Sequence, residues 1–86
     1  MPYRKILADN LWDFRNVEGI SQMEISFRTG ISKDTISLIE RQRANVTLDS
    51  LEKLACYTGL TIPELLTENF VRNNILLAGD YEEYYI

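Results

Sequence analysis

The chain has no histidine, a single cysteine and only two prolines in 86 residues. Without histidine, and with no second thiol to join Cys56, it has no ligand set for zinc or iron and no imidazole for proton transfer. No internal disulfide can form. Cys56, between Ala55 and Tyr57 in a helical pattern, reads as a buried structural thiol suited to a reducing cytoplasm. Long apolar runs are also missing. Nothing approaches the roughly 20 residues that span a bilayer, and the opening MPYRKILADN lacks the apolar centre of a signal peptide. The expected location is therefore the cytoplasm. There is no glycine-rich phosphate loop and no carboxylate pair placed by a motif, so neither catalysis nor a cofactor is expected.

What remains is one small folding unit. Hydrophobic residues make up 45% of the chain and charged residues 26%, the composition of a globular domain with one modest core. The net charge is −4 and is unevenly spread. Residues 1–60 hold eight Lys or Arg against eight Asp or Glu, whereas residues 61–86 hold Arg72 against Glu64, Glu68, Asp80, Glu82 and Glu83. The body is neutral and the excess acid lies in the tail. A neutral body can still bind nucleic acid through a few well-placed cations, with weak non-specific affinity and a modest salt dependence.

The organising stretch is Ser21 to Arg43, which reads as two short helices joined by a tight turn. Ser21 followed by Glu24 fits a capping box and predicts a helix from Gln22. Its apolar positions, Ile25 and Phe27 with Thr29, stop at Gly30, the residue that most readily takes the left-handed conformation ending a helix. Ser32 then caps a second helix from Lys33, with Ile31, Ile36 and Ile39 spaced to face inward and Lys33, Asp34, Ser37 and Leu38 left outside. Helices this short cannot each bury a core. The pair must rest on a larger helical platform, the arrangement of a helix-turn-helix.

The rest of the chain supplies that platform. Leu7, Leu11 and Phe14 recur at helical spacing over roughly Tyr3 to Val17, ended by Gly19, with Trp12 off the main stripe and half-exposed. Arg41 to Val46 form a short connection. Thr47 caps a fourth helix with Leu48, Leu51, Leu54 and Ala55 inward, closed by Gly59. Thr61, Pro63 and Glu64 open a short fifth helix carrying Leu65 and Leu66. Beyond about Asn69 the residues are middling helix formers and Asn73-Asn74 fits a hairpin turn, so extended structure is expected there. The alternative is an extension of the fifth helix with Leu66, Phe70 and Leu77 on one side. The expected architecture is all-α: a five-helix domain over residues 1–68 and an acidic, aromatic extension over 69–86.

An ordered set of residues carries a resemblance to a known family. It comprises Arg15, Gly19-Ile20-Ser21-Gln22, Gly30-Ile31-Ser32, Thr35-Ile36-Ser37, Ile39-Glu40, and Leu48, Leu51, Leu54, Ala55, Leu60, Leu65 and Leu66. From about Asn10 to Leu66 the chain resembles the phage repressor and Cro (XRE) type of helix-turn-helix regulator. It departs from that pattern at Ser26, where the family prefers Ala, at Gln42, where Gly usually follows the recognition helix, and at Leu38, usually polar. The resemblance implies that Arg15 pairs with Glu40 at the end of the recognition helix, and that Gln22 bonds a phosphate and steadies that helix.

These readings converge on a sequence-specific regulator, expected to be a repressor, that binds double-stranded DNA as a homodimer on a pseudo-palindromic operator. Ser32, Lys33 and Asp34 would meet base edges, with Lys33 donating to guanine O6 and N7 and Asp34 accepting from cytosine N4. Ser37 can bond a base or a phosphate, and Leu38 can touch a thymine methyl. Thr35, Arg41 and Arg43 are phosphate candidates that set position without carrying sequence information. A second class of function is a protein-interaction module, an antitoxin or antirepressor acting through the tail. Phe70, Val71, Ile75, Leu76, Leu77, Tyr81, Tyr84 and Tyr85 form an apolar and aromatic supply for a dimer mate or protein partner.

Overall fold

Four side-chain hydroxyls set where four of the helices begin. Ser21, Ser32, Thr47 and Thr61 lie in extended backbone and accept the amides of Glu24, Thr35, Ser50 and Glu64. Each such cap is worth about 1 kcal/mol. In the computed structural model, which describes residues 2–74, the elements are α1 (Tyr3–Glu18), α2 (Gln22–Thr29), α3 (Lys33–Glu40), α4 (Leu48–Thr58) and α5 (Ile62–Leu65). A further helical turn covers residues 70–74, and all regular structure among the described residues is helical.

Among the described residues the full capping box forms at Thr61 alone, where the Glu64 carboxylate accepts the Thr61 amide at 2.8 Å. The expected return bond at Ser21 is not made. Glu24 instead pairs with Arg28 one turn along, at 2.8 Å. A carboxylate at this helical position reaches either the cap amide or the cation four residues on, and here it takes the cation.

Leu7, Leu11, Ile25, Ile36, Ile39, Leu54 and Leu65 make one buried cluster with Ile31, Ala44 and Leu51. Fully burying one such Leu or Ile side chain stabilises by about 1.5–3 kcal/mol. Both α1 and α2 pack against α3, and α5 closes the cluster against α1 and α4. Phe14 meets Tyr57 edge to face, with ring centroids 5.8 Å apart at an interplanar angle of 73°.

Three side chains depart from the expected burial. Phe27 is 84% exposed; it lies two residues from Ile25, on the opposite side of the helix, so only one of the two can face the core. Leu48 is 71% exposed, because it occupies the first position of α4 and precedes by a turn the segment that Leu51 buries. Cys56 is exposed rather than a buried structural thiol, since Leu54, two positions before it, holds the inward side.

Residues 70–74 are helical, not extended, and Asn73-Asn74 is no hairpin turn. Tertiary contact overrides the modest local propensity. Asn69 takes a left-handed conformation with φ of 58°, and Val71 then enters the core with no exposed surface. Asn10 of α1, also fully buried, holds this join. Its Nδ2 donates to the carbonyls of Leu65 at 2.8 Å and Thr67 at 2.9 Å, and its Oδ1 accepts the Val71 amide at 3.1 Å. Asp13, a turn further along α1, accepts from Arg72 at 3.1 Å. Val71 is therefore part of the monomer's interior and is not surface for a partner. Phe70 is half-buried. Ile75, Leu76, Leu77, Tyr81, Tyr84 and Tyr85 lie outside the described residues.

Candidate nucleic-acid interface

The turn between α2 and α3 is pinned by Thr29. Its hydroxyl donates to the Ile25 carbonyl at 2.7 Å and accepts the Ile31 amide at 3.1 Å. Gly30 takes a φ of 79°, and Ile31 inserts into the core. Thr29, grouped by its spacing with the apolar positions Ile25 and Phe27, is instead the hinge pin of this turn. Its position one residue before the helix-ending glycine was the available signal.

The orientation of α3 follows from Ile36 and Ile39, both almost completely buried. With these inward, Lys33 and Asp34 are exposed and Leu38 is 37% exposed, while Thr35 and Ser37 are half-buried. Ser32 is exposed, and its Oγ both accepts the Thr35 amide at 3.1 Å and donates to the Thr35 Oγ1 at 2.9 Å. The two hydroxyls hold each other at the mouth of the helix, beside Lys33 and Asp34.

The far end of α3 is fixed by a carboxylate with three donors. Arg15 donates from Nε to Glu40 Oε2 at 2.6 Å and from Nη2 to Oε1 at 3.0 Å. Gln22 donates from Nε2 to the same Oε1 at 2.9 Å. Arg15 also donates from Nη1 to the Ile20 carbonyl at 3.0 Å. One guanidinium thus ties α1, the loop before α2 and the end of α3 together. The Arg15 and Glu40 side chains are 16% and 6% exposed, so this is a largely desolvated, bidentate pair. Gln22 steadies α3 through Glu40 while its own backbone opens α2.

Beyond Glu40 the helix closes without glycine. The Gln42 amide donates to the Ile39 carbonyl at 3.0 Å and the Arg43 amide to the Leu38 carbonyl at 2.9 Å, the paired bonds of a Schellman motif. The left-handed position falls on Gln42, with φ of 63°. This turn leaves Arg41 and Arg43 exposed, directly after the outward face of α3.

Charge is concentrated here despite the neutral body. Lys5 pairs with Asp9, Arg15 with Glu40, Arg28 with Glu24 and Arg72 with Asp13. Among the described residues, Arg4, Lys33, Arg41, Arg43 and Lys53 have no carboxylate partner. Three of these five lie on α3 or within three residues of its end.

A helix-turn-helix braced on three further helices, with an outward polar second helix flanked by cations that have no carboxylate partner among the described residues, defines a DNA-binding transcription regulator. The chain belongs to the helix-turn-helix family HTH_3 of XRE type, whose pattern matches residues 14–65. It is 34% identical over 73 residues to control protein C.SmaI of Serratia marcescens, covering 85% of this chain and 87% of that protein. It is 36% identical over 67 residues to the uncharacterized HTH-type transcriptional regulator y4dJ of Sinorhizobium fredii, covering 78% and 87%. The crystal structure of the hypothetical transcription factor NHTF from Neisseria superposes with a TM-score of 0.74 at 33% identity, covering 85% of this chain and 84% of that one. The family is one of DNA-binding regulators and not a class of enzymes. No helix among the described residues is long and apolar enough to cross a membrane.

Proposed function

We propose that this protein is a sequence-specific repressor acting in the cytoplasm, which lays α3 in the major groove and binds a pseudo-palindromic operator as a homodimer. The observation that carries this reading is the outward face of α3, held by Glu40 at one end and the Ser32 cap at the other, with Lys33, Arg41 and Arg43 beside it and without a carboxylate partner among the described residues. In this placement Ser32, Lys33, Asp34 and Leu38 face base edges. Thr35, Ser37, Arg41 and Arg43 face phosphates or the groove wall. Gln22 sets the register of α3 through Glu40 and has its second amide hydrogen left for a phosphate.

Selection of bound duplexes from a random pool tests this reading. The expected product is a pseudo-palindrome whose half-sites are about one helical turn, roughly 34–36 Å, apart. Failure to enrich any sequence would overturn it. The likeness to a protein named a control protein supports a regulatory role.

The acidic, aromatic extension beyond Asn74 is proposed to be the dimerisation or partner segment, on the strength of its excess of acidic, apolar and aromatic residues. A truncation that tests this belongs after Asn74, because Val71 is fully buried in the monomer. The shortened chain is expected to stay folded while its dimer dissociates where the full chain stays paired, read by sedimentation. An intact dimer after truncation would move the interface to the helical body. The tail would then be a site for a separate, basic protein partner, as in an antitoxin or antirepressor.

A further inference from the structure

We propose that Arg4, at the start of α1, is a phosphate contact, so that the DNA-facing surface runs on from the α3–α4 connection to the first turn of α1. This rests on the placement of α3 in the major groove proposed above. In the sequence Arg4 is remote from the helix-turn-helix, and no motif marks it. The fold changes that. Tyr3 and Leu7 line one side of a cleft of about 350 Å³ whose other side includes Ala44 and Val46, so the first turn of α1 lies against the connection that begins with Arg41 and Arg43. At this join Arg4 donates from Nη2 to Asn45 Oδ1.

Two further facts separate Arg4 from an ordinary surface arginine. Its neighbour Lys5 is neutralised by Asp9 at 2.7 Å, whereas Arg4 has no carboxylate partner among the described residues. With Arg41 and Arg43, it is one of three such cations on or against a single connection. The bond to Asn45 also directs the guanidinium. It occupies one of five N–H donors and leaves the others, with the two Asn45 Nδ2 hydrogens, to serve a phosphate oxygen. A cation beside neutral amide donors is the chemistry by which protein groups take up DNA phosphates.

The test uses the full chain and two duplexes of equal length, one carrying the site enriched from a random pool and one of random sequence. Arg4→Gln is expected to weaken both by a similar factor of about three to ten and to lower the salt slope by about one. Asn45→Ala, which keeps the charge, should weaken both less and leave the slope unchanged. Arg4 is exposed, so thermal melts of both variants should match the parent and serve as the folding control. Parent-like affinity and slope in Arg4→Gln, while Lys33→Ala loses its preferred site, would overturn the assignment and leave Arg4 a tether for the connection. A loss confined to the preferred duplex would overturn it as well, since a phosphate contact cannot read sequence. If Lys33→Ala also binds as the parent does, the groove placement of α3 falls and the role of Arg4 falls with it.

Discussion

Arg15 and Glu40, on α1 and at the last position of α3, face each other in a two-point bond with heavy-atom distances of 2.6 and 3.0 Å. Because neither side chain has much access to water, removing one partner strands the charge of the other. Arg15→Ala or Glu40→Ala is therefore expected to cost about 2–4 kcal/mol in urea unfolding. The coupling energy from the double-mutant cycle should exceed about 0.5 kcal/mol. A smaller coupling would show that the two charges act independently and that α3 is positioned by its isoleucines alone.

Asn10→Ala tests the join between the body and residues 70–74. The substitution leaves the Leu65 and Thr67 carbonyls and the Val71 amide without their side-chain partner. A loss of about 2–4 kcal/mol is expected from buried groups left unpaired. Hydrogen exchange at the Val71 amide should accelerate more than at Ile36, which lies in α3. Equal acceleration at both would mean that residues 70–74 do not open separately from the core.

For DNA recognition, Lys33 and Arg43 should fail in different ways. Lys33→Ala is expected to lose about 1–3 kcal/mol on the preferred site and relax the preference at one base pair. Arg43→Ala should weaken preferred and random duplexes alike and reduce the salt slope by about one. Identical profiles for the two variants, measured by titration at several salt concentrations, would contradict the division into reading and positioning residues.

Gln42 offers a prediction of the opposite sign. It holds a left-handed backbone conformation that costs an L side chain about 1 kcal/mol or more, at a position where its side chain is exposed. Gln42→Gly should raise unfolding stability by about 0.5–1 kcal/mol after the added freedom of the unfolded glycine is counted. Lowered stability would show that the Gln42 side chain contributes more than its backbone costs.

How far the chain can be read without its fold depends on the range of each interaction. Helix starts at Gln22, Lys33, Leu48 and Ile62 were legible because a hydroxyl and an amide three residues on decide them locally. The all-helical class and the inward set of Leu7, Leu11, Ile36, Ile39 and Leu54 were legible because periodicity is itself a local property. The pairing of Arg15 with Glu40 was anticipated from family resemblance, not from spacing; its geometry spans 25 residues.

Other features belong to tertiary structure alone. Glu24 had two partners within reach, and only the folded helix shows that it takes Arg28. Phe27, Leu48 and Cys56 were misjudged because apolar identity does not say where a packed face ends. Residues 70–74 are helical and Val71 is interior because Asn10, some sixty positions earlier, accepts the Val71 amide. A buried amide contributes only where a partner meets it, and distant parts of the chain supply that partner only when they fold together.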